Sequence, residues 1–239
     1  MKTLIAALLL LADPAIAHIA EPPAAEQPPA DSAARPKPGP TEPVAPPVSP
    51  PVAPPVAAPA PTYAIVKVAL KTSAGTIMLA LEKERAPLTT ANFLKYVDQK
   101  RLDGTGFYRT MRIPGRADLG LIQAGTRGIS TKNLPAIAHE PTNKTGLSHT
   151  DGAISMARLA PGTAAGDFFI IIGGLPSLDA NPAGKGDTAG FAVFGYVVEG
   201  MDVVKKIQLA PTSPTEGVGV MKGQMIAEPV TIISARRAK

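Results

Sequence analysis

The chain has 239 residues, 27 prolines, no cysteine and a formal net charge of +5. The lack of cysteine excludes disulfides, thiolate metal sites, cysteine nucleophiles and lipid anchors attached to cysteine. Sixteen of the prolines lie between Pro22 and Pro61, so the rest of the chain has an ordinary composition and predicts a single folded domain.

The first residues, "MKTLIAALLLLADPAIAHIA", have the pattern of a secretory signal: Lys2, an apolar run from Leu4 to Ala12, and a small-x-small site ending at Ala17. The apolar run has nine residues, about half of the roughly 20 that span a bilayer. We therefore predict a signal peptide at residues 1–17, no stable membrane insertion, and a periplasmic or secreted protein.

Residues 18–62 consist mainly of Pro, Ala and Val, as in "PVAPPVSPPVAPPVAAPAP". Proline fixes φ and pushes the preceding residue toward extended conformations, so polyproline II is the expected local state and no core can form. The prediction is a disordered Pro/Ala-rich linker that acts as a spacer. A docking site for proline-recognising modules is the alternative, although no specific motif supports it.

Strand patterns begin after Tyr63. The arms "AIVKVALKT" and "TIMLALEK" alternate apolar residues on either side of a "SAG" turn, which predicts a hairpin. A helix is expected over "PLTTANFLKYVDQK", because Pro87 suits the first turn and apolar residues recur on one face.

Short β-prone segments follow, separated by glycine-rich connections. They lie around Gly106–Thr110, Leu121–Ala124, Ala153–Met156, Phe168–Ile172 and Phe191–Val198. A second helix is predicted near Met201–Gln208 and a last strand over "EPVTIISA". Many short strands with few helices favour a mainly β protein with a closed barrel over a parallel sheet.

The segment "LSHTDGAIS" places Ser148, His149, Asp151 and Ser155 close together. A hydrolytic triad is one interpretation, but triads need side chains that converge in space, and no G-x-S-x-G elbow is present. A polar turn is the favoured interpretation.

Other ligand classes have weak sequence support. His139 and His149 are isolated, so no metal site is predicted. "NPAGKGDTAG" lacks the spacing of a phosphate-binding loop and is interpreted as a long flexible loop. Residues 63–239 carry 21 Lys and Arg against 14 Asp and Glu, but these are scattered and not interleaved with aromatics, so no nucleic-acid partner is expected.

Four motifs occur in order: "LDGTGFYRTMR", "GLIQAG", "GAISMARLAPGTAAGDFFI" and "GFAVFGYVVEGMDVV". In this order and spacing they resemble cyclophilins, the barrel family of peptidyl-prolyl cis-trans isomerases. The resemblance implies a closed eight-stranded antiparallel β-barrel with two capping helices over residues 63–239. It further implies isomerisation of X-Pro bonds in proline-containing polypeptides without a cofactor, and we expect a monomer.

The resemblance also implies the site. Arg109 in "FYR" matches the active-site arginine of cyclophilins, and Gln123 in "LIQAG" matches a glutamine that binds the substrate backbone. The other substrate-binding positions that it implies are Leu121, Met156, Ala157, Asp167, Phe169, Leu178 and Phe191. Phe168 and the isoleucines after Phe169 are expected to alternate between core and barrel surface.

The sequence departs from the family at several places, of which three bear most on the site. Thirteen residues separate Arg109 from Gln123, about twice the usual number, and Gly120 falls where cyclophilins have a pocket phenylalanine. One wall is therefore either missing or supplied by the insertion. Asp167 stands where the family has glutamine, and its carboxylate is expected either to pair with Arg109 or to orient it.

The sequence therefore predicts an exported isomerase that acts on unfolded or flexible segments. Two alternatives stay open. The first is a peptide-binding chaperone or envelope scaffold that keeps the barrel but turns over slowly. The second is a structural protein whose Pro-rich arm makes the main interactions.

Overall fold

The computed structural model describes residues 62–239. The predicted signal peptide and the predicted linker up to residue 61 lie outside the described residues. In the part that is described, no helix is long and apolar enough to cross a membrane.

Eight antiparallel strands form most of the domain. They are β1 (Ile65–Thr72), β2 (Gly75–Glu82), β3 (Gly106–Ile113), β4 (Arg116–Gly125), β5 (Ala153–Met156), β6 (Phe168–Ile172), β7 (Ala192–Glu199) and β8 (Met225–Arg237). The helices are α1 (Pro87–Asp98), α2 (Thr142–Thr145) and α3 (Met201–Gln208). The strands close in the order β1-β2-β7-β5-β6-β4-β3-β8, which confirms the predicted closed barrel.

Aromatic side chains fill the barrel interior from α1 and three strands. The ring of Phe93 on α1 meets the ring of Phe168 edge-on at 5.3 Å and that of Phe194 at 5.2 Å. Phe107 contacts Phe168 from β3 at 6.1 Å. Edge-to-face pairs at these distances stabilise a core beyond the area they bury, so α1 is fixed against the barrel.

Strand β6 differs from the predicted alternation, because all five of its residues are buried. Phe168 faces the barrel interior, where it meets Phe93. Phe169, on the opposite face, is only 4% exposed because loops and side chains cover the outside of the barrel here. This covered outer face carries the candidate site.

The insertion between Arg109 and Gln123 lengthens a hairpin. Strands β3 and β4 continue through it and pair Ile113 with Arg116 around a turn at Pro114 and Gly115. Gly115 has φ +75°, a left-handed conformation that glycine adopts without strain. The insertion therefore adds ordered β-structure beside the site.

Candidate active site

A cavity of about 440 Å³ lies on the outer face of the barrel. The structure brings eight of the nine sequence-predicted site residues to its wall: Arg109, Leu121, Gln123, Ala157, Asp167, Phe169, Leu178 and Phe191. Met156 is the exception, because it pairs with Phe168 and points into the barrel core, where it is 2% exposed. The next residue along the chain, Ala157, is the one that reaches the cavity.

The apolar walls come from three chain segments that the fold brings together. Phe169 and Phe191 meet edge-to-face with their centroids 5.4 Å apart. The backbone N–H of Phe191 donates to the carbonyl of Leu178 at 3.0 Å, which joins the third wall to the other two. Such an apolar recess with a few polar groups at its edge is the usual form of a small-ligand site.

Arg109 is held at the cavity edge by two glutamines. Its Nη1 donates to Oε1 of Gln123 at 2.7 Å, while its Nε and Nη2 donate to Oε1 of Gln224 at 2.9 and 2.7 Å. A guanidinium has five N–H donors, so two remain for a bound molecule. Partial burial lowers the pKa of Arg109, but a guanidinium stays cationic in proteins.

Gln224 is a site residue that sequence reasoning missed. It follows the turn Gly219–Met221, and its Nε2 donates to the carbonyl of Val220 at 2.7 Å. The backbone N–H of Thr110 donates to the carbonyl of Gln224 at 2.9 Å, beside the pairing of β3 with β8. Only that long-range pairing brings Gln224 to Arg109, so no local pattern could have indicated it.

Asp167 lines the same cavity but does not pair with Arg109; none of the ion pairs among residues 62–239 joins the two. Its Oδ1 accepts the backbone N–H of Arg127 at 2.7 Å. Burial raises the pKa of Asp167, and the hydrogen bonds from Arg127 and Tyr108 oppose that rise. The carboxylate of Asp167 was expected either to pair with Arg109 or to orient it, and the structure does not have the direct pair.

Gly120, where the resemblance places a pocket phenylalanine, does not line the cavity. Gly120 has φ +158°, and a Cβ there would collide with the backbone carbonyl of Met111. Met111 pairs with Leu121 across the hairpin, and its side chain lines the cavity. Met111 therefore forms an apolar wall beside Leu121, whereas a side chain at residue 120 would point at the Met111 carbonyl and the Gln208 amide.

A family model of the cyclophilin type peptidyl-prolyl cis-trans isomerases matches residues 67–237. The chain belongs to this family. Its barrel is that of a cyclophilin-type isomerase, which confirms the predicted fold and enzyme class.

Curated proteins that are similar to this chain carry the name of the same enzyme class. A peptidyl-prolyl cis-trans isomerase of Acinetobacter baylyi is 37% identical over 71% of this chain and 84% of its own length. Peptidyl-prolyl cis-trans isomerase A of Dickeya dadantii is 38% identical over 72% of this chain and 84% of its own. Among solved structures, a Cryptosporidium parvum cyclophilin in the presence of the dipeptide Ala-Pro aligns with a TM-score of 0.58 and 19% identity, covering 72% of this chain and 99% of that one.

One end of the cavity of this cyclophilin is closed by Arg158. Its guanidinium carbon lies 4.8 Å from the centre of the Phe191 ring, a cation–π distance. Its Nε donates to the carbonyl of Gly190 at 3.1 Å, and its Nη2 pairs with Asp187 at 2.7 Å. The side chain of Arg158 is 1% exposed, so it anchors the loop "NPAGKGDTAG", which carries Asp187 and Gly190.

The hydrolase interpretation of "LSHTDGAIS" is wrong. Nδ1 of His149 lies 2.6 Å from Oδ1 of Asp179, and its Nε2 lies 3.0 Å from Oγ of Ser155. This is the connectivity of a triad, but His149 and Ser155 are both 0% exposed, so no substrate can reach the serine. The segment is also more than a polar turn, because it contains a buried polar network.

Within the described chain, no group of three His, Cys, Asp or Glu could hold a metal ion.

Proposed function

We propose that Arg109 is the catalytic group of this isomerase and that the apolar cavity holds the proline ring of an X-Pro bond. The observation that carries the proposal is the guanidinium of Arg109, fixed by Gln123 and Gln224 with two N–H donors unused. It stands at the edge of a cavity walled by Phe169 and Leu178.

The chemistry of amide rotation explains why a guanidinium and an apolar cavity are sufficient for catalysis. Amide resonance gives an X-Pro bond a rotation barrier of roughly 18–20 kcal/mol. In the twisted state the proline nitrogen becomes pyramidal and gains a lone pair that a guanidinium N–H can bind, whereas the planar amide offers no such acceptor. Arg109 would therefore bind the transition state more tightly than the ground state, which lowers the barrier.

The other polar groups position Arg109. Gln123 uses its amide oxygen for Arg109, while its Nε2 donates to the Tyr108 hydroxyl at 2.7 Å. Burial is the main cause that raises the pKa of Tyr108, so this phenol stays protonated and neutral at physiological pH. Both ends of the Gln123 amide are thus engaged, which fixes its orientation toward the guanidinium.

The test is the rate of isomerisation of one proline peptide, measured by NMR exchange. We expect Arg109→Ala to lower kcat/KM on the order of a hundredfold, the usual cost of removing one transition-state donor. Arg109→Lys should restore little, because lysine lacks the planar fork. The matched control is Arg116→Ala, which removes an exposed arginine paired with Asp118 on the hairpin tip. An unchanged rate for Arg109→Ala would overturn the catalytic assignment.

The proposed setting is outside the cytoplasm, on unfolded or flexible segments. The signal-like residues 1–17 support export, and the Pro-rich residues 18–62 suit a spacer that precedes the barrel. Fractionation of cells that express the full chain should recover the barrel outside the cytoplasm without its first 17 residues. Deletion of residues 20–62 should leave the isomerisation rate of a free peptide unchanged, and sedimentation should give a monomer.

Exposed apolar side chains favour a second function, the holding of unfolded segments. Leu159 lines the cavity yet is 92% exposed, and Val220, beside the cavity-lining Met221, is 87% exposed. Unpaired apolar surface next to a peptide site can bind further apolar residues of a client. We expect Val218→Ser with Val220→Ser, both exposed and outside the cavity wall, to weaken suppression of the aggregation of an unfolded protein while the rate for a short peptide stays the same. Equal suppression by the double variant would argue against this function.

A further inference from the structure

His149 is a buried titratable residue directly behind the cavity, and it lines none of it. Its side chain is 0% exposed. Both ring nitrogens have polar partners, Asp179 at Nδ1 and Ser155 at Nε2. Because a carboxylate only accepts hydrogen bonds, the proton sits on Nδ1, and Nε2 accepts from the serine hydroxyl. The ring is therefore fixed at two points.

The fixed ring contacts two walls of the cavity. The imidazole of His149 lies parallel to the ring of Phe169, with centroids 5.9 Å apart and an interplanar angle of 10°. It meets the ring of Phe191 edge-on, at 6.5 Å and 85°. Since the two phenylalanines also contact each other, the three rings form one cluster, of which only the imidazole has polar anchors.

The carboxylate of Asp179 ties the third wall to the same cluster. Besides the ring nitrogen, it accepts the backbone N–H of His149 at 3.0 Å and the hydroxyl of Ser148. Asp179 directly follows Leu178, so the segment that carries this wall is attached to the segment that carries the histidine. The hydrogen bonds thus connect the walls at Phe169, Phe191 and Leu178.

We propose that His149 is a positioning residue of this isomerase: its anchored ring fixes Phe169 and Phe191 from behind and so sets the shape of the cavity that receives proline. The inference rests on the proposed function of that cavity. It assigns His149 no contact with the reacting bond, so its loss should raise KM and leave kcat nearly unchanged, whereas loss of Arg109 should lower kcat because that contact acts in the transition state.

Two variants test the contribution of the His149 ring separately from that of its hydrogen bonds. His149→Phe keeps a ring but leaves Asp179 and Ser155 without their partner, while His149→Gln keeps polar atoms but removes the ring. We expect each to raise KM for a proline peptide about tenfold with kcat within about threefold, because Phe169 and Phe191 lose the anchored ring that supports them, either through loss of its hydrogen bonds or through loss of the ring itself. The NMR signals of the Phe169 and Phe191 rings should broaden or shift in both.

The matched control is Ile77→Val, a core change in β2, which does not line the cavity. It should lower stability while KM and the ring signals stay as in the wild type. A wild-type KM in folded His149→Phe and His149→Gln, or an equal rise in Ile77→Val, would overturn the proposal.

A measurement on the unmodified protein avoids any folding problem. Nitrogen NMR of the imidazole should show a protonated Nδ1 and an unprotonated Nε2 at neutral pH. On acidification, protonation of His149 should shift the Phe169 ring signals and raise KM together. If His149 titrates while the ring signals and KM stay constant, the positioning role is wrong, and this holds whether or not Arg109→Ala lowers the rate.

Discussion

Gln224 accepts hydrogen bonds from two nitrogens of Arg109 although 115 residues separate the two in sequence. Gln224 itself is fixed by donation to the carbonyl of Val220. The orientation of the guanidinium therefore depends on the turn before β8 as much as on Gln123 in β4.

Gln224→Ala should lower kcat/KM about tenfold, because two charge-assisted hydrogen bonds that orient the guanidinium are lost. Gln224→Glu should not restore the rate, since a carboxylate so close would neutralise the cation. Gln99→Ala is the control: Gln99 accepts from Nε of Arg101 at 2.7 Å on the exposed surface, and its loss should leave the rate unchanged. The measurement is peptide isomerisation by NMR exchange. A wild-type rate in Gln224→Ala would show that Gln123 alone positions Arg109.

Asp167→Asn should raise the free energy of unfolding at neutral pH. Burial raises the pKa of Asp167 in the folded chain, so between its ordinary value and the raised one the folded state binds more protons than the unfolded state. Stability is then lost as pH rises from the ordinary pKa through the raised one. Asparagine avoids this loss, while its amide oxygen can still accept the N–H of Arg127.

Urea unfolding at neutral pH and below pH about 3.9 tests this. The advantage of Asp167→Asn should be present at neutral pH and disappear in acid, where the wild-type carboxyl is protonated in both states. A variant that is less stable than the wild type at neutral pH would mean that the ionised carboxylate stabilises the loop at Arg127.

The sequence predicted the barrel well because its strands and helices have strong local patterns. The bounds of β5, β6 and α3 agree with the predicted segments, where apolar residues are dense and glycines lie nearby. The resemblance to cyclophilins located eight cavity residues, because seven of them lie within a recognisable motif and only Leu178 lies between two motifs.

The remaining features depend on contacts between distant segments. His149 lies in a segment that looks polar, and only Asp179, thirty residues later, makes its burial possible. Met111 joins the cavity wall only because the hairpin pairs it with Leu121. Neither relationship has a local signature, because the partner that satisfies a polar group or fills a gap is set by the tertiary fold.

The buried imidazole predicts a pH dependence of stability. Burial lowers the pKa of His149, and the nearby carboxylate of Asp179 only partly opposes this. The unfolded chain then binds more protons as pH falls below about 6.5, so the free energy of unfolding should decrease in that range. Asp167 contributes to the pH dependence with the opposite sign. The slope should be smaller in His149→Gln than in the wild type, measured by urea unfolding at several pH values, and an unchanged slope would contradict the assignment.

Arg158→Ala should raise KM for proline peptides about tenfold and leave kcat within about threefold, because it removes the cation over the Phe191 ring and frees the loop that closes the cavity. Arg158→Lys should recover little, since lysine cannot reach the Gly190 carbonyl and Asp187 at once. Lys185→Ala, which removes an exposed cation from the same loop, is the control and should bind peptide normally. High salt should change KM little in the wild type, because the Arg158 side chain is 1% exposed and salt screens the charge of a buried group only weakly. A salt-dependent KM, or equal effects of the two alanine variants, would mean that the loop acts through its surface charge and not by closing the cavity.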